Sequence, residues 1–247
     1  MIRIPFLDPL RPDEFPPVGQ ALSEPDGLLA AGGDLCPERL LAAYRRGIFP
    51  WYSRGQPILW WAPDPRTVFA TDRMHVPRRL ARWLQTCAWT LRADTAFDAV
   101  VRACAAPRPS QRGTWIDGAM RSAYRELHEL GHAHSIEAWD GETLAGGIYG
   151  VAVGRMFFGE SMFSAADNAS KVALLALARA LHIWNFPLLD AQVASPHLFT
   201  LGAIELERSA FCAWVAELTQ QAGIQGSWRT IFPGLRPAGL ADPAPPN

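Results

Sequence analysis

The chain runs Ser135-Ile136-Glu137-Ala138-Trp139-Asp140-Gly141-Glu142-Thr143-Leu144-Ala145-Gly146-Gly147-Ile148-Tyr149-Gly150-Val151-Ala152-Val153-Gly154-Arg155-Met156-Phe157-Phe158-Gly159-Glu160-Ser161-Met162-Phe163 through its most strand-like region. Three apolar runs, 135–139, 144–153 and 156–163, read as strands. The joints between them, Asp140-Gly141 and Gly154-Arg155, are hairpin turns, which makes the strands antiparallel neighbours. Before this meander, residues 117–130 form a helix with Gly131 as its stop; after it, residues 169–184 form a long alanine- and leucine-rich helix. An apolar strand at 188–193 and a helix at 208–221 complete the series. The order implies an α+β architecture, with helices packed on a mixed, largely antiparallel sheet.

Upstream the texture changes to short elements rich in proline, glycine and tryptophan. They are a helix at 37–44 with Pro37 in its first turn, strands at 58–62 and 67–70 around the Ala62-Pro63-Asp64-Pro65 turn, a helix at 76–85, a strand at 89–92, and a helix at 95–105 capped by Thr95. The boundary is expected near residue 112, giving a small α/β domain at 1–112 and a second domain at 113–236. Residues 237–247 are expected to be a loose tail.

With 247 residues, 49% hydrophobic and 19% charged, the chain has apolar material for a core, which excludes intrinsic disorder and a coiled coil. No run approaches the roughly 20 apolar residues of a membrane helix and no secretory pattern opens the chain, so a cytoplasmic protein with no membrane partner is expected. Cys36, Cys87, Cys104 and Cys212 form no CxxC pair and indicate neither a disulfide framework nor a thiolate zinc site. Net charge is −1 and Lys171 is the only lysine, so arginine must build any cationic face. Arg78, Arg79 and Arg82 share the solvent side of a helix whose apolar stripe is Leu80, Trp83 and Leu84. That face is either simply solvated or a phosphate contact, for which guanidinium forks are suited.

His128-Glu129-Leu130-Gly131-His132 fits the HExxH zinc pattern, but Gly131 stands where the helix must end, so His132 leaves the helix face and no metal is expected. His132 and His134 are read as structural. Trp51 and Trp115 sit at element ends beside glycine or proline, where an indole can be core or a stacking platform for a base. Glu160 interrupts an apolar strand, so its carboxylate is either outward and solvated or inward and functional. Asp190 and Gln192 pose the same choice; alternation puts them on one face of their strand, side by side.

Longer motifs around these residues resemble the leucyl/phenylalanyl-tRNA–protein transferase family. They include Pro25-Asp26-Gly27-Leu28-Leu29, Tyr44-Arg45-Arg46-Gly47-Ile48-Phe49-Pro50-Trp51, Leu59-Trp60-Trp61-Ala62-Pro63-Asp64-Pro65-Arg66, Gly113-Thr114-Trp115-Ile116, Gly159-Glu160-Ser161-Met162-Phe163-Ser164, Asn168-Ala169-Ser170-Lys171 and Asp190-Ala191-Gln192. The resemblance covers nearly the whole chain. It implies a small N-terminal domain that helps bind the tRNA 3′ end, followed by a GNAT-like acyltransferase domain. The implied reaction moves leucine or phenylalanine, less readily methionine, from aminoacyl-tRNA to a protein that begins with arginine or lysine, and creates an N-degron for bacterial protein turnover. The tRNA ester is already activated, so no cofactor is implied; a monomer is the expected form.

The resemblance also implies roles. Asp190 and Gln192 act on the attacking amine, with Asp190 as base or electrostatic positioner and the terminal hydroxyl of the tRNA as another route for the proton. Glu160 lies near the aminoacyl ester, Phe157 and Met162 line the side-chain pocket, and Trp51 and Trp115 hold the terminal adenosine. Ile148 and Leu177 stand at pocket positions where the family usually has methionine and phenylalanine. Two other readings compete: an acetyl-CoA-dependent N-acetyltransferase and a non-catalytic tRNA-binding module. The first wants a glycine-rich pyrophosphate loop where this chain has Phe163-Ser164-Ala165-Ala166-Asp167-Asn168, and the second leaves Glu160, Asp190 and Gln192 idle.

Overall fold

The computed structural model describes residues 4–107 and 114–242. The first elements are β1 (Phe6–Leu7), β2 (Leu28–Gly32), α1 (Pro37–Tyr44), β3 (Phe49–Pro50) and β4 (Leu59–Trp61). Their strands form a four-stranded sheet in the order β1-β2-β4-β3. Proline opens α1, where its missing N–H costs nothing. Then come β5 (Arg66–Ala70), α2 (Arg78–Leu84), β6 (Thr90–Ala93), α3 (Phe97–Cys104), α4 (Gly118–Glu129), β7 (Ala133–Asp140), β8 (Thr143–Val153) and β9 (Met156–Ser164). The chain continues through α5 (Ala169–Ile183), β10 (Leu188–Gln192), α6 (Pro196–Phe199), β11 (Ile204–Leu206) and α7 (Arg208–Leu218).

A seven-stranded sheet runs β11-β5-β10-β9-β8-β7-β6. The meander β7-β8-β9 is antiparallel as expected, and its turns hold Gly141 at φ 58° and Gly154 at φ 59°, conformations that glycine adopts without a Cβ clash. The architecture is α+β with a mixed, largely antiparallel sheet; β9 and β10 are its parallel neighbours. Helix α5 is buried along most of its length, which explains its alanine and leucine content.

Three expectations need correction. Thr95 does not cap α3: the buried Glu137 carboxylate of β7 accepts from the backbone N–H of Thr95 and of Ala96, each at 3.0 Å, and also takes the Thr95 hydroxyl. A strand residue thus satisfies helix-end donors that no local side chain reaches. The sheets divide the chain between Trp61 and Arg66, not near 112, because β5 and β6 join the larger sheet through partners far away in sequence. Residue 112 itself, with Gly113, lies outside the described residues, as do 243–247. Of the supposed tail, 237–242 are anchored: Leu240 is buried, and Arg179 donates to the carbonyls of Gly239 and Asp242. One hydrophobic cluster joins the two sheets, running from Leu40, Tyr44 and Trp60 to Val68, Tyr124 and Phe158.

Candidate active site

The parallel strands β9 and β10 keep register only to Phe158 and Asp190. Beyond that point each strand carries an irregularity. On β9, Tyr149 pairs Ser161 while Gly150 pairs Gly159, so Glu160 is the extra residue of a bulge. A Cβ at Gly150 would lie 2.1 Å from the Phe158 carbonyl oxygen, so glycine is what permits this close passage. On β10, Asp190 pairs Val68 and Gln192 pairs Thr67, leaving Ala191 unmatched, and Gln192 takes φ 64°. Bulges re-aim side chains, and these two turn Glu160 and Gln192 toward each other. The Gln192 Nε2 donates to Glu160 Oε1 at 2.9 Å.

Strict alternation along β10 therefore fails. Asp190 and Gln192 are in contact, but through the Gln192 backbone N–H, which donates to Asp190 Oδ1 at 2.9 Å. Both Asp190 oxygens also receive Arg66 of β5, Nε at 2.8 Å and Nη2 at 2.7 Å, in a fully buried bidentate pair. The guanidinium lies between the rings of Phe49 and Phe211, 4.7 and 4.5 Å from their centroids, and donates to the Gly47 carbonyl at 3.0 Å. Gly47 lets the chain turn there at φ 72°.

Glu160 is the centre of a second buried group. Its Oε1 accepts from Tyr44 at 2.8 Å and its Oε2 from Tyr124 at 2.5 Å, and the two hydroxyls touch at 2.9 Å. Burial pushes the Glu160 carboxyl up to about 7, against the stabilising hydroxyls of Tyr124 and Tyr44. Burial, with the Glu160 charge adding to it, drives both phenols well above their ordinary value.

Two cavities meet at this network. A cleft of about 570 Å³ is lined by Trp51, Ser53, Arg54, Cys104, Thr114, Trp115, Glu160, Ser161, Ala191 and Gln192 among others. An apolar pocket of about 120 Å³ is lined by Phe69, Ile148, Met162, Leu174, Leu189 and Leu198, with Gly159, Glu160, Ser161, Asp190 and Ala191 at its edge. Glu160, Ser161 and Ala191 belong to both walls and so mark the junction. Trp51 is 43% exposed, a large indole presented to solvent. Phe157 and Leu177 are buried in the same core cluster as the pocket residues Phe69, Ile148, Leu174 and Leu189 and do not form its wall.

Arg78, Arg79 and Arg82 are exposed on α2, with Leu80 and Leu84 buried beneath, and they line neither cavity. Helix α4 ends at Glu129 and Gly131 is left-handed, so His132 has left the helix. His128 stacks on Phe97 at 4.1 Å, and His134 is clamped between Asp94, 2.9 Å from its Nδ1, and the Trp228 ring at 3.8 Å. The sequence reading missed Arg66, Tyr44 and Tyr124 as site residues. A signal existed for Arg66: a cation opening the apolar run Thr67-Val68-Phe69-Ala70 is the same anomaly that singled out Glu160.

Residues 68–216 match the family described as leucyl/phenylalanyl-tRNA protein transferase, and residues 33–64 match the N-terminal domain of that family. A protein named leucyl/phenylalanyl-tRNA–protein transferase from Xanthomonas axonopodis pv. citri is 57% identical over 239 residues, 95% of each chain. One of the same name from Xanthomonas campestris pv. campestris is 60% identical over 235 residues, 95% of this chain and 94% of that one. Among solved structures, a functionally unknown conserved protein from Staphylococcus epidermidis aligns with 73% of this chain and 68% of its own at 9% identity, with a TM-score of 0.38, too low to assign a fold. The class is thus an aminoacyltransferase. The chain belongs to the leucyl/phenylalanyl-tRNA–protein transferase family.

Proposed function

We propose that this chain transfers leucine or phenylalanine, and less readily methionine, from aminoacyl-tRNA to the N-terminal arginine or lysine of a protein. The observation that carries this reading is the junction of the two cavities, where a cleft flanked by Trp51 and Trp115 opens onto an apolar pocket at Glu160, Ser161 and Ala191. A terminal adenosine stacked in the cleft and an aminoacyl side chain in the pocket place the ester between them, beside Gln192. With its Nε2 committed to Glu160, the Gln192 amide presents its oxygen to the incoming amine. Asp190, held by Arg66, acts as a positioning residue that fixes the Gln192 backbone. Met162 and Ile148 shape the pocket wall while Phe157 and Leu177 set its shape from behind.

The sheet order, with parallel strands that part at the site, supports a GNAT-like catalytic domain. The residues up to Trp61, which include Trp51, help hold the tRNA 3′ end, and the α2 arginines meet its phosphates. The action belongs in the cytoplasm, in N-degron turnover, by a monomer. Incubating the protein with Leu-, Phe- or Met-tRNA and an Arg-starting peptide, or with labelled acetyl-CoA, tests the reading. Peptide extended by Leu, Phe or Met is expected, Gln192→Ala abolishing most of it with tRNA affinity kept. Acetylation in place of aminoacylation, or tRNA binding without transfer, would defeat it.

A further inference from the structure

The Glu160 carboxyl and the hydroxyls of Tyr44 and Tyr124 close a ring of three contacts, at 2.8, 2.5 and 2.9 Å. Each contact needs one proton, and the two phenols bring two. When Glu160 is ionised, both phenol protons point at the carboxylate, and the Tyr44–Tyr124 contact holds none; two buried oxygens then face each other lone pair to lone pair. A proton on Glu160 completes the ring, with Glu160 donating to Tyr124, Tyr124 to Tyr44, and Tyr44 back to Glu160. The ring is thus a buried seat for one proton, on the wall shared by both cavities. Asp190 is engaged differently, its two oxygens held by the Arg66 guanidinium and the Gln192 backbone N–H.

We propose that Glu160 takes the proton which the acceptor's α-ammonium must shed before it attacks, and that Tyr44 and Tyr124 hold that proton in place. The role rests on the transfer reaction proposed above. The ammonium gives one proton to Glu160, which later releases it to solvent. The neutral amine forms the N–C bond at the ester carbonyl, the carbon–oxygen bond to the ribose breaks, and the second proton leaves nitrogen for the departing ribose oxygen. Among the described residues, the titratable and charged groups around Glu160 are Tyr44 from α1, Tyr124 from α4, Tyr149 from β8, Asp190 from β10 and Arg66 from β5, with Arg54 and Cys104 on the same cleft wall. All three phenols are pushed well above their ordinary value, first by burial and then by the Glu160 charge, so the carboxyl is the member that exchanges a proton near neutral pH.

Glu160→Gln keeps the side-chain shape and supplies a third donor to the ring, so the fold is expected to persist. Single-turnover transfer to a saturating Arg-starting peptide is measured from pH 6 to 9. Without Glu160 the ammonium must lose its proton to water, near its ordinary value of about 8, so the variant is expected to be about a hundredfold slow near pH 7, where Glu160 is free to accept a proton and the ammonium still holds its own, and to regain about tenfold on the unsubstituted chain by pH 9. A deficit of one size at every pH overturns the proposal. Difference infrared spectroscopy of the chain alone against Glu160→Gln reads the seat without any transfer. A protonated carboxyl band that fades near neutral pH is expected, and a band already gone by about pH 5 overturns the seat. A neutral-pH band with no transfer at any pH overturns the transfer reading and the catalytic role built on it, while leaving the seat in place.

Discussion

At the scale of single residues, two buried carboxylates that share Gln192 as a partner behave differently because their other partners differ. Asp190 is bound to a permanent cation. Removing one partner of a buried pair strands the other, so Asp190→Asn is expected to cost on the order of 3–5 kcal/mol, read as a lower urea midpoint at unchanged slope. The double change Arg66→Met with Asp190→Leu should cost less than Asp190→Asn alone; a larger cost for the double would refute the pairing argument. Glu160 has hydroxyls and an amide instead of a direct cation, and its folded value of about 7 lies above the ordinary 4.5. Between those values the folded chain binds more protons than the unfolded one, so stability falls as pH rises. The Glu160 contribution is full below pH 4.5 and lost as pH passes about 7, a difference on the order of 3 kcal/mol. Unfolding free energy measured at pH 5 and pH 8 should therefore fall less in Glu160→Gln than in the unsubstituted chain, and equal falls would show that Glu160 is not the group responsible.

At the scale of elements, the backbone that enters α3 is held by a strand. Glu137 accepts from Thr95, Ala96 and the Ser135 hydroxyl, so Glu137→Ala orphans one buried and two half-buried donors and is expected to cost about 2 kcal/mol. Thr95→Ala removes one donor and should cost less; denaturation of the two variants in parallel decides the order. Helix α2 presents Arg78, Arg79 and Arg82 to solvent. If they meet tRNA phosphates, replacing all three by alanine lowers the slope of log affinity against log salt by roughly 0.7–0.9 for each phosphate no longer neutralised. An unchanged slope would return the helix to a merely solvated face.

At the scale of the whole molecule, the segment after α7 ties the large sheet together. Trp228 is fully buried, its backbone N–H donates to Asp94 at 2.7 Å, and its ring covers His134. Trp228→Ala should cost about 3–5 kcal/mol, seen as a drop in unfolding midpoint, and a cost within 1 kcal/mol would show that this segment is dispensable to the core. The same reach across the chain explains why the sequence suggests a boundary near 112 while the sheets divide between Trp61 and Arg66. Composition does shift around 107–113, but sheet membership is set by which strands pair, and β5 finds β10 and β11 more than a hundred residues away.

The sequence alone determined what depends on short range. Turn residues and alternating apolar runs specified the meander, Gly131 set the end of α4, and a charge inside an apolar strand marked Glu160 and Asp190. Tertiary structure alone decided what those charges meet. Alternation assumes an unbroken pleat, and the bulges at Glu160 and Ala191 break it, turning Gln192 toward Glu160 and leaving Asp190 to Arg66. Tyr44 and Tyr124 look like ordinary members of apolar helix faces, and only the packing of α1 and α4 against β9 brings their hydroxyls to one carboxyl. Such a site is a product of contacts across the chain, whose geometry no local pattern encodes.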